Sequence, residues 1–125
     1  MGFRTDRQRV HGLGTSHTGA HHWWSQRLTA VGMLILVPFF LFPFVRALGT
    51  DFETVREIYG HPFNAVVAML TLAVGFLHLQ QGLQVVIEDY VHEKPVLVAM
   101  LVANVVLCAA FAMTGIFAVA KIAFA

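Results

Sequence analysis

Three long stretches without a formal charge constrain this chain more than any other feature. Residues 28–45, LTAVGMLILVPFFLFPFV, lie between Arg27 and Arg46. Residues 58–87 carry no formal charge and two histidines, His61 and His78. Residues 95–120 remain uncharged up to Lys121. A helix crosses a bilayer with about 20 mainly apolar residues, a length each run reaches alone or with its flanks. A water-soluble fold would have to cover these runs with charge. Only 12% of the residues are charged and 58% are hydrophobic, with a mean hydropathy of +0.71. Soluble domains carry about 25% charged residues. The sequence therefore predicts an all-α membrane protein with three transmembrane helices, spanning about 23–47, 64–90 and 95–121.

The segments between the runs are short. Residues 1–22 form a polar, glycine-dotted N-terminal arm with Arg4, Arg7 and Arg9, too poor in apolar residues to build a core of its own. We expect this arm to lie on a cytoplasmic partner. Residues 23–125 form the anchor domain. Residues 49–62, GTDFETVREIYGHP, suit a short interfacial helix, capped by Asp51 and stopped by Gly60 and Pro62. VHEKP, residues 91–95, makes a tight connection. There is no internal repeat. The first apolar run starts too late, is too long and lacks the cleavage site of a signal peptide. Cys108 lies in an apolar run and is the single cysteine, so it suits packing as a small hydrophobe. Asn104, Thr114 and Gly115 in the third run, and Gly75 and Gly82 in the second, suit close helix contacts. A net charge of +1 gives no footprint for nucleic acid.

Lysine and arginine in the short flanks set orientation. The arm's three arginines and Arg27 outweigh Arg46 with Arg56, and Lys94 stands alone in the second connection. A cytoplasmic N-terminus follows, with residues 88–95 on the same side and the C-terminus outside. Arg27, at the start of the first span, and Asp89–Tyr90, at the end of the second, then share the cytoplasmic boundary. Trp23 and Trp24 suit the headgroup level there. HTGAHH, His17–His22, has no acidic or thiol companion and is a poor zinc site. The glycines of GLGTSHTG follow no strand and read as flexible arm.

The polar residues inside the second run need a reason. His78 lies about 18 Å along a helix from Tyr90, near mid-membrane. Ionisable groups at that depth face protein interior. A hydrogen bond between helices would explain His78, at about 0.6 kcal/mol. A functional role is favoured by three neighbours. Gly82, at i+4, leaves space beside the imidazole for something flat and wide. Gln81, at i+3, is polar. Asp89 lies about 20° from the same face, at the water boundary. A buried imidazole, a gap and a cation such as Arg27 for propionates form the layout that a haem needs. Tyr90 reads as a belt tyrosine or as a phenol donor to a lipid-soluble substrate. Glu88 and His92 suit a solvated helix end.

The chain resembles the small membrane-anchor subunits of succinate dehydrogenase, respiratory complex II, in their alphaproteobacterial form. Two motifs carry the resemblance. HHWWSQRLTAVGM, His21–Met33, is similar to the start of the family's first helix around an Arg-x-Thr-Ala core. HLQQGLQVVIEDYVH, His78–His92, matches the pattern of a histidine, a glycine four on, and Asp-Tyr eleven and twelve on. The resemblance implies three spans forming half of a heterodimeric haem-binding bundle. It implies that His78 is an axial ligand of haem b, with the second histidine from the other anchor subunit of the pair. It places Arg27, and the gap at Gly82, near the haem and its propionates. It makes Tyr90 a hydrogen-bond donor to ubiquinone and Asp89 part of that site's proton supply. An iron–sulfur subunit and a flavoprotein subunit are then partners beside membrane lipid, the bacterial inner membrane is the location, and succinate is oxidised elsewhere in the complex. This chain holds no catalytic residue for that oxidation: it has neither the cysteines of a cluster nor a nucleotide loop. Gln80–Gln81 departs from the family's commoner aromatic or apolar pair. Two other classes remain beside this one: a proton-relay or transporter subunit using His78 and Asp89, and a cofactor-free structural anchor.

Overall fold

A computed structural model describes residues 5–11 and 19–124. Those residues form α1 (Asp6–His11), α2 (Gly19–Ala47), α3 (Phe52–Gly60), α4 (Pro62–Tyr90) and α5 (Lys94–Phe124). Three of them, α2, α4 and α5, are long and apolar enough to cross a membrane. The chain is an all-α, multi-pass membrane protein.

The local sequence explains each boundary. α2 starts at Gly19, ahead of the expected position 23, and α1 makes part of the arm helical. The glycine-rich stretch between them, including His17, lies outside the described residues. α2 runs through Pro38 and Pro43 as one helix. Neither proline can donate to the carbonyl four residues back, a loss that neighbouring groups in a membrane can absorb. At its end, Leu48 N donates to Phe44 O at 3.2 Å and Gly49 turns with φ +76°. That left-handed conformation is open to glycine and strained for a residue with a Cβ.

α3 is the short helix expected between the first two spans. The Asp51 carboxylate accepts from Thr54 N at 3.0 Å, closing its first turn. His61 then ends α3 and begins α4, with Pro62 in the first helical turn. Asn64 Nδ2 donates to Ile58 O at 2.8 Å and ties this corner together. Tyr59 is buried beneath it, and burial pushes its phenol pKa up. Asp51 is held below its usual 3.8 by its side-chain and backbone hydrogen bonds to Thr54. Its folded value lies below its unfolded value, so the cap contributes fully above the ordinary carboxylate pKa and is lost as pH falls through the lowered one. Exchange protection at the Thr54 amide should therefore fall as the medium is acidified below about pH 4. Asp51→Ala should remove that pH dependence, and a protection profile unchanged by the substitution would rule out the cap as its source.

α4 is the central helix. α2 and α5 each pack along it and make no contact with one another. They take opposite sides: Thr29 of α2 meets His78, whereas Asn104 of α5 donates to Gln80 O at 2.9 Å. Those two α4 positions point about 160° apart at 100° per residue. Small residues bring the helices close. A Cβ on Gly32 would lie 3.4 Å from Val74 Cγ1, and one on Gly75 3.5 Å from Met33. One on Gly115 would lie 3.1 Å from Leu72 Cδ1. Cys108 is buried between α4 and α5, in keeping with its apolar setting, with Sγ 3.5 Å from Asn104 Oδ1. Thr114 makes no helix contact within this chain: it is exposed and returns its hydroxyl to Ala110 O.

Gly115 supplies a packing prediction. The Leu72 methyl is the flexible end of a side chain, so Gly115→Ala should be nearly tolerated. Gly115→Ile must push α5 from α4, and overpacking of this kind costs about 1–3 kcal/mol. Thermal unfolding of the purified complex should rank wild type and Ala above Ile; equal midpoints for all three would refute the contact.

Within the chain, only 6% of the most apolar window of α2, 22% of that of α4 and 11% of that of α5 is buried. The row of three helices is thus a layer with two open faces. Lipid or further helices must cover them.

Candidate functional site

The polar residues of α2 and α4 meet where the two helices face each other. On α2, His22, Ser25, Gln26 and Thr29 recur at three- and four-residue steps and so share one face. On α4, His78, Gln81 and Gly82 do the same. Their contact creates one connected network. Thr29 Oγ1 lies 3.0 Å from His78 Nδ1. The same hydroxyl donates toward Gln26 O at 2.9 Å and Gln81 Oε1 at 3.1 Å. Gln81 Nε2 donates to Ser25 Oγ at 2.6 Å. Gln81 is buried, 7% exposed, so this amide has exchanged water for protein partners.

Each ring nitrogen of His78 has a different setting. Nδ1 is engaged by Thr29. Nε2 has no hydrogen-bond partner among the described residues, yet it is not among the enclosed unpaired atoms, of which His22 Nε2 is one. It therefore reaches the surface of the chain from a half-buried residue. A neutral imidazole held at one nitrogen and open at the other suits metal ligation. No three metal-ligating side chains gather among the described residues. A metal bound at His78 would need its other ligands from a cofactor or another chain.

Beside the network, a groove of about 510 Å³ opens between α2 and α4, lined by His22, Ser25, Gln81, Gln84 and Glu88 among others. Gln84 Nε2 donates to Glu88 Oε1 at 2.9 Å and forms its outer edge. A polar strip thus leads from the end of α4 to Ser25.

The other residues singled out in the sequence lie apart from this contact. Arg27 is exposed and sits over the Trp23 ring at 5.2 Å. It is two residues from Thr29, about 200° around α2, and so points away from His78. Trp23 packs edge-on against Trp24 at 5.2 Å. Asp89 is exposed, and Tyr90, 81% exposed, projects from the last turn of α4. A Cβ on Gly82 would meet only Gln26 Nε2, at 4.0 Å, so the room at this glycine faces α2. Gln81 is directed to α2, where it bonds Thr29 and Ser25.

Ser25, Gln26 and Thr29 had no role on sequence grounds. A signal was present: polar residues at 22, 25, 26 and 29 repeat at helical spacing, opposite a helix with polar residues at 78 and 81. Arg27 stands out in the sequence because it is charged, whereas the hydroxyl two residues on makes the contact.

The family model described as the succinate dehydrogenase/fumarate reductase transmembrane subunit matches residues 1–117. The succinate dehydrogenase hydrophobic membrane anchor subunit of Paracoccus denitrificans is 34% identical over 90 residues, covering 72% of this chain and 70% of that protein. The one from Rickettsia typhi is 37% identical over 79 residues, covering 62% of each chain. The succinate dehydrogenase membrane anchor subunit of Reclinomonas americana is 28% identical over 95 residues, 71% of this chain and 78% of its own. No solved structure matches significantly. With three apolar helices in a row and a family match that runs from the arm to the last span, the chain belongs to the succinate dehydrogenase/fumarate reductase transmembrane-subunit family and is similar to its hydrophobic membrane anchors.

Proposed function

We propose that this chain anchors a succinate:ubiquinone oxidoreductase in the bacterial inner membrane, ligates haem b through His78 and contributes Tyr90 and Asp89 to the quinone site. The observation that carries the haem assignment is the division of labour at His78. Nδ1 is held by Thr29, and Nε2 of this half-buried residue has no hydrogen-bond partner among the described residues. The donor set fits a haem shared between chains: one imidazole here, and the opposite histidine from the second anchor subunit. The open faces of the helix row leave room for that subunit.

Haem b, when bound, would supply one-electron storage. The chain's own residues do the rest. His78 would offer the Nε2 lone pair. Arg27, exposed on the face of α2 turned away from His78, would offer positive charge to propionates that extend around α2 or to a partner docked there. The Tyr90 hydroxyl would donate to a quinone carbonyl oxygen and stabilise negative charge developing there. Reduction to the quinol takes two electrons and two protons; Asp89, exposed to water beside Tyr90, would pass protons inward. The arginine distribution puts the N-terminus and both groups on the cytoplasmic side, where the iron–sulfur and flavoprotein subunits would dock.

Purification of the assembled complex tests this reading. Flavoprotein, iron–sulfur and second anchor subunits should co-purify, with a Soret band and low-spin haem b signal that respond to succinate. A complex with the partners and no haem would leave a cofactor-free anchor. Purification without those partners would refute the proposal as a whole.

A further inference from the structure

We infer that Thr29 is a positioning residue for His78: seated by Gln81 and Ser25, it fixes the imidazole tautomer and sets the donor strength of Nε2 toward haem iron. The inference rests on the haem reading of His78.

Counting protons decides the tautomer. The Thr29 hydroxyl has one hydrogen and two lone pairs. Around Oγ1 stand Gln26 O at 2.9 Å, Gln81 at 3.1 Å and His78 Nδ1 at 3.0 Å. The Gln26 carbonyl can only accept. If Nδ1 were bare, the single hydroxyl hydrogen would have to turn to it, and Oγ1 would face the Gln26 carbonyl lone pair to lone pair. With the hydrogen on Nδ1, the contacts agree: Nδ1–H donates to Oγ1, and Oγ1–H donates to a carbonyl. The result does not depend on how the Gln81 amide is oriented. With Oε1 toward Thr29 it is a second acceptor for the hydroxyl hydrogen. With Nε2 toward Thr29 it donates to the hydroxyl's other lone pair. In a neutral imidazole Nε2 of His78 is then bare in both cases, which is the state a metal requires.

The same bond tunes the ligand. A histidine that donates its second N–H to an acceptor is held in one ring orientation and made more basic. A more basic imidazole favours ferric over ferrous iron. Gln81 is buried and ties Thr29 to Ser25 across the helix contact, so the acceptor is itself held in place.

Thr29→Val keeps the side-chain shape and removes the acceptor, whereas Thr29→Ser keeps the acceptor and removes a methyl. In the purified complex, Thr29→Val should weaken the preference for ferric haem about tenfold, at the lower end of such supporting contacts. That corresponds to a rise of about 59 mV in the one-electron midpoint potential. The low-spin electron paramagnetic resonance signal should shift with it, because the ring is no longer held at one angle. Thr29→Ser should stay near wild type in both. No shift in Thr29→Val, or equal shifts in Val and Ser, would overturn the inference, the second by showing that packing is what matters. If Thr29→Val fails to assemble, Gln81→Met serves: releasing Thr29 should move the potential the same way by a smaller amount, and an unmoved potential overturns the inference. His78→Leu separates the layers. If it leaves the spectrum intact, the haem reading fails; if it removes the spectrum while Thr29→Val changes nothing, only the role of Thr29 fails.

Discussion

His78→Leu should remove the low-spin haem b spectrum from the assembled complex. Leucine fills a similar volume but has no lone pair, so iron would lose the axial ligand that this chain supplies. The change reaches further than the missing bond. Thr29 Oγ1 would lose its contact with the imidazole and keep those to Gln26 and Gln81, so the polar network would persist without its link to the haem ligand. Haem content should therefore fall, and whatever haem remains should be high-spin or shifted in potential. Succinate oxidation by an artificial acceptor that bypasses the membrane should persist, because the proposed function assigns that chemistry to other subunits. A redox titration and visible spectrum identical to wild type would remove His78 from the ligand set.

The features legible in the sequence are those set by one helix at a time. The three spans follow from charge-free length, the α3 cap from Asp51 with Thr54 three residues on, and the corner from Gly60 and Pro62. Helix ends are less legible. α2 extends outward to Gly19 because nothing in GAHH stops a helix once the membrane span has started it. Contacts between helices are the least legible. Asn104 and Gly115 suit some helix surface by residue type, and their partners, Gln80 and Leu72, emerge only with the fold. Gly32 gives no warning against Val74. Thr29 belongs to the same group: threonine is common in membrane helices, and its importance here comes from which two side chains face it. Arg27 shows the converse. A charge at a helix start is conspicuous in a sequence, yet the fold turns it outward over Trp23, toward whatever covers that face.

Tyr90→Phe should collapse quinone reduction while leaving the rest of the complex intact. Tyr90 ends α4 and is 81% exposed in this chain, so its hydroxyl has not been spent on an internal bond. The α4 helix stops there because Val91 leaves the helical conformation with φ −106° and ψ 110°. The ring is consequently displayed at the end of a rigid element, where the proposed function puts the quinone head. Phenylalanine keeps the ring and its packing and deletes only the O–H. A donor bond that strengthens as charge builds on the quinone oxygen is typically worth about 10²–10³ in rate. Binding alone would show as a raised KM with kcat kept, whereas loss of charge stabilisation lowers kcat and kcat/KM together. The second pattern is expected. Asp89→Asn should act differently, slowing turnover more as pH rises and protons become scarce, because it removes a relay and leaves the hydrogen bond to the quinone. Assays of one preparation with ubiquinone and with a bypass acceptor separate these effects from loss of assembly. Wild-type rates with both acceptors in Tyr90→Phe would make the residue a membrane-belt tyrosine and move the quinone site to another part of the complex.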